Sequence, residues 1–224
     1  AFSVPYYKGC FFLEECEVAV GRKRFDAFIQ KYMASFQFQS LTTEGFLDFM
    51  KAELPVVFER VDVQTWVYKP GIPKTWHRPH SRLYDEVQKV LSDYRQGKRP
   101  TKEQVQNWHR HQILSLLNGL PTKMPVEDCR YFGEILELDK RNDGEFFSLS
   151  YAICIASGDQ AILPDVERFL STIGRMLYVF PVMRAMLETD WSRDKVRPLF
   201  ARVKSRHHQI TVHGMEGMLK RAGL

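Results

Sequence analysis

The chain has 224 residues, of which 44% are hydrophobic and 26% are charged, with a formal net charge of +5. Such proportions are ordinary for a globular protein, and a chain of this length buries roughly 70% or more of its unfolded surface. The basic residues are scattered among acidic ones and no apolar run reaches the ~18 residues of a membrane span, so the composition argues against nucleic-acid and membrane partners.

The four cysteines, Cys10, Cys16, Cys129 and Cys154, contain no C-x-x-C pair and no regular spacing. In a chain this long we expect them to be reduced thiols that pack on apolar helical faces, and not disulfides or nucleophiles. We also expect a cytoplasmic location.

The N-terminal third of the sequence predicts three helices. The first covers residues 6–20 and ends at Gly21, because glycine commonly follows the last helical residue. A second amphipathic helix is marked by apolar residues at helical spacing, Phe25, Phe28, Ile29 and Tyr32. Thr42 or Thr43 is expected to cap the third helix.

The segment from Trp66 to Pro73 contains Pro-Gly-Ile-Pro, which cannot continue a helix. We therefore expect a domain boundary near residue 73. Beyond it, helical spacing predicts helices at about 81–96, 102–118, 125–139, 144–157, 159–173, 176–190, 194–206 and 208–221. Thr101 and Gln104 are spaced as a capping box. Short helices joined by tight turns indicate an all-α chain of stacked helix pairs, similar to an α-solenoid.

Two segments of the chain resemble one family. The run Val4-Pro5-Tyr6-Tyr7-Lys8-Gly9 resembles the V-P-Y-x-K-G segment of gluzincin zinc aminopeptidases (peptidase family M-one), in the branch of leukotriene A(4) hydrolase and aminopeptidase B. The Trp-x-Tyr-x-Pro-Gly-x-Pro pattern of Trp66 to Pro73 resembles the segment that closes the catalytic domain of that branch. The resemblance implies that residues 1–73 end a thermolysin-like catalytic domain and that 74–224 form an armadillo-like C-terminal helical domain.

Tyr6 is the catalytic residue that this resemblance implies. A phenol with a pKa of about 10 keeps its proton at neutral pH and can donate a hydrogen bond to a developing oxyanion without losing that proton. Without the resemblance, a tyrosine at the start of a helix is more often a packed core residue. Phe2 stands where leukotriene A(4) hydrolase has another active-site tyrosine, so we expect peptide hydrolysis and not lipid epoxide chemistry.

Arg175 is the second candidate, a substrate-binding residue. Gly174-Arg175-Met176 resembles a Gly-Arg-x-Lys segment of the family that contacts the substrate carboxylate. The planar guanidinium suits this contact because it can donate two parallel hydrogen bonds to a carboxylate. Leu177 stands in place of the family's lysine, which predicts a weaker dependence on a free carboxylate. The alternative is a solvated arginine paired with a nearby acid.

The sequence predicts no metal ligands in this chain. No histidine is followed by glutamate, so the H-E-x-x-H motif that holds zinc in the family is absent. His77 and His80, His109 and His111, and the C-terminal histidines lack convergent spacing, and we expect them to be surface or capping residues. The resemblance implies that zinc, its ligands and the general base belong to an upstream part of the polypeptide.

We therefore interpret the chain as the C-terminal fragment of a zinc-dependent aminopeptidase that removes N-terminal amino acids from peptides. Its partners would be a peptide substrate and the upstream catalytic domain of the same polypeptide, and the fragment alone would be inactive. The alternative is a non-catalytic helical-repeat module that binds another protein.

Overall fold

The structure is a computed structural model that describes residues 4–224, with side chains from Tyr6 onward. Throughout this range the regular structure is helical and no β-strand is present, which confirms the all-α fold. The chain forms two compact units, one ending at His80 and one formed by Ser81–Leu224. The boundary predicted near residue 73 lies in the same non-helical connection, between Tyr68 and Arg82.

In the described part of the first unit there are five helices: α1 Val4–Val20, α2 Arg22–Phe36, α3 Thr43–Glu53, α4 Pro55–Arg60 and α5 Val63–Tyr68. Gly21 ends α1 with a positive φ of 83°, a conformation that glycine adopts at little cost. Thr42 caps α3, since its hydroxyl accepts a hydrogen bond from the Gly45 amide at 3.1 Å.

Helices α4 and α5 were not predicted because each has only six residues, too few to display a helical period. A residue at the N-terminus of each helix favours its start. Pro55 occupies the first turn of α4, where backbone N–H groups have no intrahelical acceptor, so the N–H that proline lacks is not needed. The Asp62 carboxylate caps α5 by accepting a hydrogen bond from the Thr65 amide at 3.0 Å.

The core of the first unit lies between α1, α2, α3 and α4. Its fully enclosed side chains include Cys16, Met50 and Val57. Aromatic rings from α2 and α3 pack edge-to-face beside it, with the Tyr32 and Phe46 centroids 5.4 Å apart. The connection after α5 returns to α1, where the Trp76 ring lies 4.2 Å from that of Phe11.

Nine helices form the second unit: α6 Arg82–Arg95, α7 Lys102–Val105, α8 Arg110–Gly119, α9 Val126–Ile135, α10 Gly144–Ala156, α11 Leu163–Thr172, α12 Met176–Glu188, α13 Asp190–Val203 and α14 Gln209–Arg221. Short 3-10 turns lie at Leu138–Lys140, Gln160–Ile162 and Lys204–Arg206.

Helices α6, α8, α10, α12 and α14 pack side by side in this order. Helix α9 packs on α10, while α13 packs on α12 and α11. One core cluster lies between the helices up to α10, and a second lies between α10 and α14. Stacked helices with successive cores are the α-solenoid arrangement that was predicted.

The single helix predicted at 102–118 is wrong, because a second capping box divides it at His109. In the first box, which the sequence predicted, the Gln104 side chain accepts a hydrogen bond from the Thr101 amide at 2.8 Å. In the second, the Gln112 side chain accepts one from the His109 amide at 3.1 Å. His109 therefore starts a new helix, and its backbone leaves the helical conformation.

All four cysteines are free thiols, and Cys16, Cys129 and Cys154 are buried as expected. The prediction that all of them pack in the interior is wrong for Cys10, which lies on the exposed side of α1. None of the helices within residues 4–224 combines the length and the apolar composition of a membrane span.

Candidate active-site residues and family membership

Tyr6 lies in the first turn of α1 and is 79% exposed. Pro5 precedes it, at a position where a helix makes no use of a backbone N–H. The side chain is therefore not packed within the described part of the first unit. Its hydroxyl is available to donate a hydrogen bond to a molecule outside the first unit's core, as the predicted oxyanion role requires.

Lys8 connects the first turn of α1 to the end of α5. Its ammonium donates hydrogen bonds to the backbone carbonyls of Lys69 and, at 3.5 Å, Thr65. The last carbonyls of a helix have no intrahelical donor and carry a partial negative charge, so a lysine there satisfies and neutralises them. This contact joins the two segments on which the family resemblance rests, and it holds the turn that carries Tyr6.

Arg175 is the N-cap residue of α12, with an extended backbone and an exposed side chain. Its guanidinium carbon lies 5.0 Å from the centroid of the Tyr178 ring, and Nη1 donates a hydrogen bond to the Tyr178 hydroxyl at 3.2 Å. Within residues 4–224 no carboxylate forms an ion pair with it. An arginine has five N–H donors, so most of this group can still bind a carboxylate.

Two neighbouring helices fix the backbone around Arg175. The Thr211 hydroxyl of α14 donates to the Gly174 carbonyl at 3.1 Å, and the Ser148 hydroxyl of α10 donates to the Tyr178 carbonyl at 2.7 Å. The Tyr178 ring also rests against Gly144, where a Cβ would lie 3.1 Å from the ring edge. A side chain at that position would displace the ring that supports the guanidinium.

Tyr178 and Thr211 were not predicted as the supports of Arg175. Tyr178 stands three residues after Arg175, about one helical turn. This spacing is the only local signal that the two side chains are in contact. Leu177 is 57% exposed and places an apolar side chain where the resemblance implies a second cation.

The histidines fit the prediction except at one position. His109 and His208 cap helices, and the His208 ring accepts a hydrogen bond from the Ile210 amide at 3.2 Å. His207 is buried, which the sequence did not predict, and its Nε2 lies 2.8 Å from the Leu170 carbonyl oxygen. That contact requires a proton on Nε2, and Nδ1 has no hydrogen-bond partner among the described residues.

Across residues 4–224 no three His, Cys, Asp or Glu side chains are arranged to hold a metal ion. Tyr6 belongs to the unit that ends at His80, and Arg175 belongs to the unit formed by Ser81–Leu224. Phe2, which was used to argue against epoxide chemistry, lies outside the described residues.

Known proteins resemble this chain in sequence. Leucine aminopeptidase 2 of Aspergillus clavatus is 30% identical over 220 residues, which cover 93% of this chain and 35% of that protein. Leucine aminopeptidase 2 of Emericella nidulans is 29% identical over 226 residues, covering 94% of this chain and 36% of that protein. The chain thus spans about a third of the length of the curated relatives it matches.

Solved structures resemble it in fold. Native leukotriene A4 hydrolase from Saccharomyces cerevisiae superposes with a TM-score of 0.75 at 25% identity, over 99% of this chain and 39% of that one. The yeast enzyme in complex with bestatin gives the same TM-score, 0.75, at 26% identity, over 97% of this chain and 39% of that one.

A family model described as leukotriene A4 hydrolase, C-terminal, matches residues 108–219, which is half of the chain. The matched range begins at Trp108 and includes Arg175, and it covers α8 to α14. This match is independent of the two N-terminal segments, and together they confirm the predicted family. The chain belongs to the leukotriene A4 hydrolase C-terminal family.

Proposed function

We propose that this chain is the C-terminal part of a zinc-dependent aminopeptidase that hydrolyses N-terminal amino acids from peptides. The proposal is supported by relatives named leucine aminopeptidase 2, which align with 93% and 94% of the chain. It is also supported by a yeast relative whose structure was solved with bestatin. The substrates would be peptides, and the rest of the catalytic domain would precede this chain in the same polypeptide.

The observation that carries the proposal is the exposed Tyr6 on an anchored helical turn. Tyr6 is 79% exposed, and the ammonium of Lys8, two residues later, donates a hydrogen bond to the Thr65 carbonyl near the end of α5. A donor that is fixed in place before the reaction stabilises developing charge without reorganising at that moment. Tyr6 would donate its hydroxyl proton in a hydrogen bond to the oxyanion that forms at the scissile carbonyl.

Arg175 would bind the substrate's C-terminal carboxylate. The Tyr178 ring lies against one face of its guanidinium, and the hydroxyl accepts from Nη1. This support restricts the rotamers of a flexible side chain, so less entropy is lost when a carboxylate binds. With Leu177 in place of a second cation, peptides without a carboxylate in reach would remain substrates.

The zinc of the proposed enzyme does not fit the described residues, because no group of three potential ligands exists among them. Its ligands and the general base would belong to another part of the protein. We therefore expect that the chain purified alone holds no stoichiometric zinc and releases no product from an aminoacyl reporter substrate. One tightly held zinc ion per isolated chain would contradict this division of roles.

The decisive experiment replaces Tyr6 in the full-length protein. Tyr6→Phe removes only the hydroxyl, and we expect turnover of an aminoacyl reporter to fall by ~10² or more while KM changes little. Tyr7→Phe is the matched control, since Tyr7 is the next residue and is 65% exposed. Turnover should survive in that variant.

Normal turnover in the Tyr6→Phe variant would remove the oxyanion role. A full-length protein that holds no zinc and hydrolyses no aminoacyl substrate would favour the alternative, a helical-repeat module that binds another protein.

A further inference from the structure

Two cysteines meet beside a cavity in the second unit. Cys129 lies on α9 and Cys154 on α10, two helices that pack on each other. Both side chains line a cavity of about 780 Å³ between α9, α10 and α11. Each residue is less than a tenth exposed, and the Cys154 side chain lies close enough to Cys129 to lower the pKa of its thiol. A small molecule that enters the cavity meets both residues.

The surroundings of the pair favour one thiolate. The hydrogen bond from Cys154 lowers the pKa of Cys129 to about 7, against the opposing effect of burial, and the Ser157 hydroxyl adds a second hydrogen bond. The same contact raises the pKa of Cys154, and burial raises it further. The pair therefore releases its first proton readily and shares the second between the sulfur atoms.

The nearby charges are largely paired with one another. Asp159 is buried, and its carboxylate accepts a hydrogen bond from the Arg130 Nη2 at 2.9 Å. The negative charge of Asp159 raises the pKa of both cysteines, and the positive charge of Arg130 lowers the pKa of Cys154. The salt bridge thus lets a negative sulfur form in a site that already contains a carboxylate.

We propose that Cys129 and Cys154 are a dithiol site at which a hydroperoxide is reduced and a disulfide forms between α9 and α10. The Cys129 thiolate attacks one peroxide oxygen, the O–O bond breaks, and the leaving oxygen takes a proton. This step gives a sulfenic acid on Cys129 and, with hydrogen peroxide, one water.

The Cys154 sulfur then attacks the sulfenic sulfur. The S–O bond breaks, and the departing hydroxide takes the Cys154 proton to form a second water. In total, two thiols and one hydrogen peroxide become one disulfide and two waters. The thiols are oxidised by two electrons, and the peroxide is reduced by two.

The other two cysteines provide internal controls. Cys16 is fully buried, and burial raises its pKa to about 12, so it should resist oxidation. Cys10 is exposed on α1 and lies in the first unit. It can react with peroxide and serves as the exposed control.

The test titrates the reduced full chain with hydrogen peroxide, alkylates the remaining thiols under denaturing conditions and maps the peptides by mass spectrometry. We expect a peptide pair joined through Cys129 and Cys154 to accumulate before Cys16 loses its alkylation. A pair that stays alkylated while Cys10 is oxidised would overturn the proposal, as would sulfinic acid on Cys129 without a disulfide.

Single variants separate the two steps. In Cys154→Ser, a sulfenic acid should persist on Cys129 and be trapped by dimedone, whereas in Cys129→Ser no dimedone adduct should form on Cys154. Cys16→Ser should leave the joined peptide pair unchanged. Equal trapping on either cysteine would contradict the assignment of Cys129 as the attacking thiol. The wild-type peptide map tests the disulfide itself even where a variant fails to fold.

Discussion

The ammonium of Lys8 donates a hydrogen bond to the backbone carbonyl of Lys69. Lys69 is the residue that follows the end of α5, so this bond connects α1 to that helix end. Lys8 belongs to the V-P-Y-x-K-G segment and Lys69 to the Trp-x-Tyr-x-Pro-Gly-x-Pro segment. Although 61 positions separate them in sequence, the two segments are parts of one structural feature. This contact explains physically why a lysine follows Tyr6 at this spacing.

The first prediction concerns this lysine. Lys8→Met keeps the aliphatic stem and removes the ammonium, so the Lys69 carbonyl loses this donor, and the Thr65 carbonyl keeps only the Lys69 amide. We expect the free energy of unfolding to fall by about 1 kcal/mol, less than a fully buried charged hydrogen bond would lose, because the site is partly exposed. Urea denaturation measures this loss, and amide hydrogen exchange should accelerate in the first turns of α1.

Lys23→Met is the matched control, since Lys23 is exposed at the start of α2. It removes the same charge without removing a helix-end contact. Equal losses of stability in the two variants would mean that net charge, and not the contact with α5, is responsible.

A second prediction concerns Gly9, which follows Lys8 inside α1. A Cβ at this position would meet no atom within 4 Å, so Gly9→Ala adds helix propensity without a clash. We expect the free energy of unfolding of this chain to rise by about 0.5–1 kcal/mol. Gly214→Ala in α14 should do the opposite and lose about 1–3 kcal/mol, because its Cβ would collide with the Phe180 ring. A stability loss in Gly9→Ala would show that something covers this face of α1.

Local signals in the sequence predicted most of the helix boundaries. Gly21 and the Thr101 capping box work through neighbours within four residues, and both were predicted. The break before His109 was missed because histidine is an uncommon cap and neither glycine nor proline marks it. The burial of His207 depends on Leu170, 37 positions away, and no local pattern reports such a contact.

The candidate site residues were also predicted from local signals, whereas their contacts were not. Tyr6 and Arg175 were predicted from short motifs, which identify the residues but carry no information about their tertiary contacts. Tyr178 supports Arg175 only because α10 and α14 fix the backbone on both sides of it. The pairing of Cys129 with Cys154 likewise depends on how α9 packs on α10, and the sequence analysis treated both as ordinary core thiols.

The third prediction tests Arg175 in the full-length protein. Arg175→Met should lower kcat/KM about tenfold for a tripeptide with a free C-terminal carboxylate, because ~1.4 kcal/mol of charge-assisted hydrogen bonding is lost. The same peptide with a C-terminal amide should be hydrolysed almost as well as before. Arg184→Met, an exposed arginine of the same helix, is the control and should leave both substrates unaffected. Equal losses on acid and amide would argue against carboxylate recognition.

Tyr178→Phe refines this test. The ring that lies against the guanidinium is kept, and only the hydroxyl that accepts from Arg175 at 3.2 Å is removed. We expect a loss on the free-acid peptide of about threefold, smaller than that of Arg175→Met, because the cation–π contact remains. A loss as large as that of Arg175→Met would instead make the hydroxyl itself a substrate ligand.

The fourth prediction concerns a buried hydrogen bond of the second unit. The Tyr94 hydroxyl of α6 donates to the Asp128 carboxylate at 2.6 Å, and Asp128 is buried. Tyr94→Phe leaves this carboxylate without one donor, so the free energy of unfolding at pH 7 should fall by about 1–3 kcal/mol. Tyr131→Phe is the control, because its hydroxyl donates at 2.6 Å to the neutral Pro100 carbonyl.

The pH dependence of stability tests the contribution of the Tyr94 proton. Burial raises the pKa of Tyr94, and the hydrogen bond and negative charge of Asp128 raise it further. A phenol whose folded pKa lies above its unfolded value of ~10 stabilises the fold fully below that pH and loses this contribution as the pH rises. Urea denaturation between about pH 9 and pH 11.5 should therefore show a steeper loss in the wild type than in Tyr94→Phe. Parallel curves for the two proteins would mean that the Tyr94 proton does not contribute to stability.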